Sequence, residues 1–212
     1  MKTPSLVGTS LDPFYHVCAF FGSRDDEYRV LAPFYHETLD WGESLVQVID
    51  DALRTDHEER MEQLGIDVCG CTEAGRLQIL GWSATYLRDG AFDKDLMLTA
   101  VQGVIDSARQ AGVTRTRIVG NMNWALDGCP GSEDLIEFEL EVNLVLAKEK
   151  QPAVCVYDVN KLSGSLMMDV MRAHPLVLMN GVVHRNPFFT TPEAMLAEVR
   201  SRKATVGAGV LA

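Results

Sequence analysis

Histidine and cysteine are the side chains in this sequence best suited to bind a metal ion or to act as a nucleophile. His16 and Cys18 are two residues apart, so on a β-strand both would project from the same face of the sheet. No Cys-x-x-Cys or His-x-x-x-His pair occurs, which leaves His16, Cys18 and His174 as loose metal candidates rather than a defined site. Other thiols and imidazoles are scattered along the chain, at Cys69, Cys71, Cys129, Cys155 and His184. Isolated buried cysteines usually pack as small hydrophobic residues, so the identity of any metal stays open.

Two common catalytic arrangements are absent from the sequence. There is no Gly-x-Ser-x-Gly turn for a nucleophilic serine, and Cys18 and Cys155 lie in apolar runs that raise a thiol pKa. The first strand is followed by Gly22-Ser23 and then by acidic residues 25–27, where a phosphate loop needs glycines, a lysine and a hydroxyl. No Gly-x-Gly-x-x-Gly fingerprint occurs either. We therefore assign no catalytic residue and expect neither ATP nor NAD as a cofactor.

Aromatic, thioether and amide side chains recur where predicted strands end. They are Phe20, Phe21, Trp82, Tyr86, Met122, Trp124 and Tyr157, with Asn121 and Asn123 beside them. In open α/β sheets ligands bind beyond the carboxyl ends of the strands, so these residues could line a pocket for a small, weakly polar molecule. Packing in the core is the alternative for each of them. His36 and His57 stand in charged helical surroundings and are predicted to face solvent.

Short apolar runs alternate with longer amphipathic segments along the chain. Strands are predicted at 16–21, 44–49, 76–82, 115–119, 153–158 and 176–179, with helices between and after them. The strands are continuously apolar rather than alternating, which is typical of a parallel sheet covered on both faces. The sequence thus predicts one three-layer α/β domain at 14–200, with a mostly parallel sheet flanked by helices. Residues 1–13 are predicted to be an N-terminal lead-in and residues 201–212 a flexible tail.

The overall composition excludes several classes of protein. With 30 acidic against 19 basic residues among 212, the formal net charge is −11, which repels a nucleic-acid backbone. No apolar run approaches the ~20 residues of a membrane-spanning helix. Five cysteines without a disulfide pattern favour a reducing compartment. We expect a cytoplasmic protein with no direct nucleic-acid partner and no membrane segment.

A series of short motifs gives the sequence a family resemblance. In chain order the motifs lie at 16–21, 31–34, 41–43, 86–93, 120–125, 138–139, 155–158, 174–177 and 186–188. They span roughly residues 14–198 and resemble the MEDS domain, a sensory domain named from methanogens, methylotrophs and a dichloromethane-responsive repressor. The resemblance implies a fold akin to RecA- and KaiC-type ATPases without a functional phosphate loop. It also implies a sensor of small molecules, such as hydrocarbon derivatives.

The resemblance further implies a set of pocket residues. They are His16, Cys18, Phe20, Tyr86, Asn121, Trp124, Tyr157 and His174. Among them, His16 and His174 are expected to hydrogen-bond or coordinate the ligand, and Trp124 to supply apolar contact. The family usually reads Gly-Glu-Met-Ser-Trp where this chain has Gly-Asn-Met-Asn-Trp at 120–124. A negative charge is therefore missing at Asn121, so either the ligand class differs or the site is degenerate.

Three functions are compatible with these observations. The leading one is a stand-alone small-molecule sensor acting in signal transduction or transcriptional regulation. Family members often carry a DNA-binding or histidine kinase domain beside this one. No residues are left over here for such a domain, so the regulatory signal is expected to pass through a partner protein such as a kinase or transcription factor. The alternative is a metal-dependent or degenerate RecA-like enzyme, and a third interpretation is a pure interaction protein. A homodimer is the default expectation for a sensor of this kind.

Overall fold

The computed structural model describes residues 2–209, with side chains described as far as residue 203, and contains a seven-stranded sheet between two layers of helices. A short hairpin of β1 (Ser5–Leu6) and β2 (Thr9–Ser10) precedes the sheet. The sheet consists of β3 (His16–Phe21), β4 (Ser44–Ile49), β5 (Leu77–Gly81), β6 (Thr116–Asn121), β7 (Ala153–Asp158), β8 (Leu176–Met179) and β9 (Val182–Arg185). Its order is β5-β4-β6-β7-β3-β8-β9, and every neighbouring pair is parallel except β8 with β9.

Helices cover both faces of the sheet. They are α1 (Arg24–Asp40), α2 (Arg54–Gln63), α3 (Val68–Glu73), α4 (Lys94–Gln110), α5 (Leu135–Glu149), α6 (Gly164–Ala173) and α7 (Pro192–Gly209). Buried residues of α1 and α2 pack on one face, whereas those of α4, α5, α6 and α7 pack on the other. The predicted α/β class with a mostly parallel sheet in three layers is therefore confirmed.

The apolar strands divide their side chains between the two helical layers. In β3, Cys18 and Phe20 face the α5 side, while Val17 and Ala19 face the α1 side. Strand β7 follows the same rule and is paired with β3 in register, with Cys18 opposite Cys155. Because side chains alternate with period two, His16 joins Cys18 and Phe20 on the α5 side. The order of residues in two strands thus decides which polar groups enter the α5 layer.

The described elements differ from the predicted ones at their ends and by three short strands that were not predicted, β1, β2 and β9. Strand β6 continues two residues further than predicted, to Asn121, and α7 continues past residue 200 to Gly209. Much of the segment predicted to be a flexible tail therefore lies in that helix, and residues 210–212 lie outside the described residues. Across the described part of the chain, no helix has both the length and the hydrophobicity needed to span a bilayer.

Candidate functional site

Four ionisable side chains meet in the core beneath α5. His16 begins β3, Cys155 lies in β7, Glu139 lies on α5 and His174 follows α6. The Nε2 atoms of His16 and His174 are 3.4 Å and 3.3 Å from the same Glu139 oxygen, Oε2. Cys155 Sγ lies 3.2 Å from His16 Nε2 and 3.6 Å from Glu139 Oε2. All four residues are buried, and together they form what we call the buried centre.

Strand alternation and helical spacing assemble the buried centre. His16 and Cys155 project from the same face because they lie in adjacent parallel strands at positions that face α5. Glu139 and Asn143 are four residues apart on α5, so both point at the sheet. Asn143 Nδ2 donates to the backbone oxygens of Glu139 at 2.8 Å and of Ala173 at 2.6 Å. The bond to Ala173 joins α5 to the end of α6, next to His174.

Hydrogen bonds at the outer nitrogens fix both imidazoles. The Nδ2 group of Asn143 is used for donation, so its Oδ1 accepts a hydrogen bond from His16 Nδ1 at 3.0 Å. His174 Nδ1 donates to the backbone oxygen of Val170 at 2.8 Å. In the neutral rings both Nε2 atoms then carry lone pairs that face Glu139. Although His174 Nε2 is near this carboxylate, it is buried and makes no hydrogen bond within the described residues.

Burial and close charges set the protonation of the buried centre. Burial by itself raises the pKa of Glu139, but His174, His16 and Tyr157 lower it to about 2 through charge and hydrogen bonding. Burial lowers the pKa of His16 to about 3, and the charge of His174 adds to the effect. Burial and the negative Glu139 raise the pKa values of Cys155 and Tyr157 well above their usual range. At neutral pH, Glu139 is therefore ionised, while His16, Cys155 and Tyr157 are uncharged.

Tyr157 connects the buried centre to a surface cleft. Its hydroxyl donates a hydrogen bond to Glu139 Oε1, and the residue also lines the cleft. The cleft has a volume of about 160 Å³ and lies where β3, β6 and β7 end. This is the edge at which open α/β sheets bind their ligands. A molecule in the cleft would thus lie one side chain away from an ionised carboxylate.

Trp82 and two asparagines form the polar wall of the cleft. Trp82 Nε1 donates to the backbone oxygen of Asn121 at 2.9 Å. Asn121 Oδ1 accepts from the backbone N of Asn123 at 3.1 Å, and Asn123 Oδ1 accepts from the backbone N of Asp158 at 2.8 Å. Because the amide oxygens are used in this way, the NH2 groups of both asparagines remain to donate to a bound molecule.

The turn after β3 does not form a phosphate site. Ser23 caps α1 by accepting from the backbone N of Asp26 at 3.2 Å. Arg24 is paired with Asp56 at 2.7 Å, so its charge is already engaged. Burial raises the pKa of Glu27, which also lines the cleft, to about 7 against the opposing charge of two arginines. Acidic side chains thus occupy the helix end that would otherwise attract an anion.

The eight residues predicted to line a pocket lie in three places. His16 and His174 belong to the buried centre, and Asn121 and Tyr157 line the cleft. The other four are buried among core residues, and they are Cys18, Phe20, Tyr86 and Trp124. Four of the predicted residues therefore belong to one of two neighbouring candidate sites, and the other four belong to neither.

Aromatic contacts account for most of the core group. Tyr86 stacks on Trp124 with ring centroids 5.1 Å apart, and Phe20 packs against Tyr157 with centroids 6.0 Å apart. Cys18 Sγ is 3.7 Å from the backbone oxygen of residue 176 and is not a member of the buried centre. A second cavity, lined by Tyr86 and members of the buried centre, has a volume of about 30 Å³. That volume has room for a water molecule and not for an organic ligand.

Glu139 is the functional candidate that sequence reasoning missed. It occurs in one of the motifs, but nothing in its local sequence marks it as buried. The available signal was its position in the inward stripe of α5, directly after Phe138 and one turn before Asn143. A carboxylate and an amide at helical spacing within such a stripe need polar partners in the core.

The solvent-facing position predicted for His57 was wrong. His57 is buried, with its ring nitrogens hydrogen-bonded to Tyr28 Oη and Gln47 Oε1. Burial, together with the charge of Arg24, lowers its pKa to about 4. The helix carrying His57 has few apolar residues, so its inward face, formed by His57 and Met61, was not visible in the hydrophobic pattern. His36 is only partly buried, and its ring bonds a backbone oxygen.

Comparisons with known proteins agree with this architecture. Residues 15–175 match the family profile described as MEthanogen/methylotroph, DcmR Sensory domain. The transcriptional repressor DcmR of Methylorubrum extorquens is 24% identical over 161 residues, which is 75% of this chain and 57% of the repressor. This chain thus spans little more than half of that relative. A KaiC-like protein from the hyperthermophilic archaeon Pyrococcus horikoshii OT3 has the same fold, with a TM-score of 0.56, 18% identity, and coverage of 78% of this chain and 70% of that chain.

Proposed function

The chain belongs to the MEDS family of sensory domains, and from that premise we propose that it is a regulatory sensor of a small organic molecule bound in the cleft beside Tyr157. The observation that carries the proposal is the path from the cleft to the core. One residue, Tyr157, lines the cleft and donates a hydrogen bond to the buried, ionised Glu139. A ligand that displaces this tyrosine alters the surroundings of a charge that has no access to solvent.

The dimensions and chemistry of the cleft define the ligand class. A volume of about 160 Å³ suits a small molecule rather than a nucleotide. Trp82 and Val156 offer apolar surface, while the NH2 groups of Asn121 and Asn123 offer hydrogen-bond donors. These features fit a short hydrocarbon derivative with one or two hydrogen-bond acceptors.

The charged residues of the cleft argue against an anionic ligand. The two cationic side chains that line it already have acidic partners, since Arg24 lies 2.7 Å from Asp56 and Lys161 lies 3.7 Å from Asp127. Other carboxylates in the lining, those of Asp50 and Asp158, add negative charge. The ligand is therefore proposed to be uncharged.

Helix α5 provides a route from the cleft to a partner protein. Glu139 lies on its inner face, and α5 packs against α4, α6 and α7. A change at Glu139 would alter how α5 sits on its neighbours, which form the outer layer on this side of the sheet. We place the surface that a regulatory partner, a kinase or a transcription factor, would recognise on these helices. The match to a transcriptional repressor supports a regulatory output of this kind.

An enzymatic role is the second candidate, and the buried centre is the observation that favours it. An ionised carboxylate flanked by two imidazoles and a thiol resembles a set of acid–base groups. Three of the four side chains, however, have 0% exposed surface. A substrate would need to open the core to reach them, so sensing is the better supported function.

A ligand screen by thermal unfolding tests the proposal. The probes are short-chain alcohols, amides, aldehydes and halogenated hydrocarbons, added to the full chain. A ligand of the folded state raises the melting temperature by mass action, and the rise grows with ligand concentration. We expect at least one uncharged probe to do so, and a folded protein that responds to no member of the panel would contradict the proposal.

Two variants locate the binding site. Trp82→Ala removes the half-buried aromatic wall of the cleft and should abolish the shift. Phe188→Ala removes an exposed aromatic ring that does not line the cleft and should leave the shift unchanged. An equal loss in both variants would place the ligand elsewhere and count against the cleft.

A further inference from the structure

We propose that His16, Glu139, Cys155 and His174 form a tetrahedral site for Zn²⁺ or a chemically similar divalent transition ion. This site lies in the core and is separate from the cleft that is proposed to bind the organic ligand. Each residue offers one donor atom, and all four donor atoms lie within 4.8 Å of one another. The set of two imidazole nitrogens, one thiol sulfur and one carboxylate oxygen is of the kind that zinc takes in proteins.

Four of the six distances between donor atoms match the edges of a zinc tetrahedron. Metal–ligand bonds of roughly 2.0–2.3 Å give tetrahedral edges of about 3.3–3.6 Å. Four of the pairs are separated by 3.2, 3.4, 3.3 and 3.6 Å. The other two pairs, which join His174 to His16 and to Cys155, are separated by at most 4.8 Å, so an ion at the middle of the group would draw His174 toward those two side chains.

The outer hydrogen bonds of the histidines point the correct nitrogens inward. His16 Nδ1 donates to Asn143 Oδ1, and His174 Nδ1 donates to the backbone oxygen of Val170. Histidines that bind metals are oriented in this way by a carbonyl or carboxylate at the second ring nitrogen. Both Nε2 lone pairs are thereby directed at the space beside Glu139 Oε2.

When both imidazoles are neutral, acceptors face acceptors at the buried centre. The Nε2 atom of His174 is buried and has no hydrogen bond within the described residues, although a carboxylate oxygen lies 3.3 Å away. Buried polar atoms without partners are rare because each costs free energy. A divalent ion would supply the missing partner for this nitrogen and neutralise Glu139 at once.

The donor set and its burial also define the kind of site. Hard cations such as Mg²⁺ and Ca²⁺ prefer oxygen ligands, which a thiol and two imidazoles do not provide. Four protein ligands complete a tetrahedron, as in structural zinc sites, whereas catalytic zinc retains an open position. The ion would thus join β3, β7, α5 and the end of α6, and Tyr157 would contact it indirectly through Glu139 Oε1.

Metal uptake during refolding tests the proposal. The protein is the full chain carrying Cys69→Ser, Cys71→Ser and Cys129→Ser, because these three thiols are exposed or partly exposed and could bind metal on the surface. It is refolded with Zn²⁺ or with Co²⁺ and then freed of unbound ion. We expect one equivalent of either metal, and for cobalt the intense visible bands of four-coordinate Co²⁺ with a thiolate charge-transfer band in the near ultraviolet. A folded protein that retains neither metal would overturn the proposal.

Substitutions within and beside the site identify the ligands. Cys155→Ser should abolish the charge-transfer band, and His174→Gln should reduce retained metal several-fold. Cys18→Ser is the matched control, because Cys18 is a buried thiol paired in register with Cys155 yet is not a member of the group. Metal retention that survives Cys155→Ser, or that is lost equally in Cys18→Ser, would show that the site is wrongly assigned. If Cys155→Ser fails to fold, the presence or absence of the charge-transfer band in the parent decides the question.

Discussion

Two buried carboxylates on opposite faces of the sheet are neutralised in different ways. On the α1 face, Glu43 forms ion pairs with Arg115 at 2.6 Å and with Arg117 at 2.7 Å. On the α5 face, Glu139 is surrounded by imidazoles, a thiol and a hydroxyl, none of which carries a permanent charge. Both carboxylates are at most 4% exposed. The fold therefore pairs one buried negative charge with guanidinium groups and leaves the other without a permanent positive partner.

The contrast separates a structural charge cluster from a functional candidate. Arg117 also pairs with Glu37 at 2.6 Å and lies 5.0 Å from the ring centroids of Phe34 and Trp41. The guanidinium group is always charged and its planar shape fits a carboxylate, so the charges of this cluster are paired within the protein, although Arg117 Nη2 is buried without a hydrogen bond within the described residues. The partners of Glu139, by contrast, can gain protons or bind a metal, and their state depends on what the centre holds. That difference is why we place sensing on the α5 face.

The largest expected effect comes from removing the charge of each carboxylate in turn. Glu43→Gln leaves the buried Arg115 without the carboxylate it pairs with and Arg117 with Glu37 alone, and should lower the free energy of unfolding by about 3–5 kcal/mol. Glu139→Gln keeps the shape and an acceptor for Tyr157 while removing a charge that has no permanent partner, so we expect a loss of about 1–2 kcal/mol. Urea unfolding with a chelator present compares the two proteins free of metal. Equal losses would remove the distinction between the two clusters.

A smaller effect is expected from cutting the connection between the cleft and Glu139. Tyr157→Phe removes the hydroxyl that donates to Glu139 Oε1 and should cost about 2–3 kcal/mol, because a buried carboxylate oxygen loses its donor. Tyr86→Phe is the matched control, since Tyr86 is buried in the same core but its hydroxyl makes no hydrogen bond within the described residues. Urea unfolding of both variants measures the difference. If the two substitutions cost the same, Tyr157 does not stabilise the charge of Glu139.

The sequence predicted the sheet well because the signal for buried strands is local. The apolar run at 153–158 and its partner at 16–21 could be read directly, and period-two alternation places His16 and Cys18 on one face. The helix that covers that face could not be read in the same way. Which of several amphipathic helices packs on β3 and β7 is decided by tertiary contacts, so Glu139 had no visible partner in the sequence.

Residue type alone also could not separate a pocket wall from the core. Trp124 and Tyr86 were expected at a ligand because aromatic residues near strand ends suit both roles, and the structure stacks them on each other. His57 shows the opposite problem, because a helix rich in charged residues concealed a buried inner face. In each case the missing information was the identity of the neighbouring element, which a single sequence does not contain.

The smallest expected effect concerns Glu27, a third acid whose neighbours only partly compensate its charge. Burial raises its pKa from the ordinary 4.5 to about 7, with Arg24 and Arg60 opposing the shift. Below about pH 4.5 the side chain is protonated in both folded and unfolded chains. As the pH rises from there to about 7, the unfolded chain releases the proton first, so the contribution of Glu27 to stability falls. Because the side chain is only partly buried, solvent screening limits this loss to about 1–2 kcal/mol.

Glu27→Gln should therefore have the same free energy of unfolding as the parent near about pH 4 and a higher one, by about 1–2 kcal/mol, above about pH 8. Urea unfolding at several pH values measures this difference. A difference that does not change across this range would show that Glu27 is as well solvated as an ordinary surface acid.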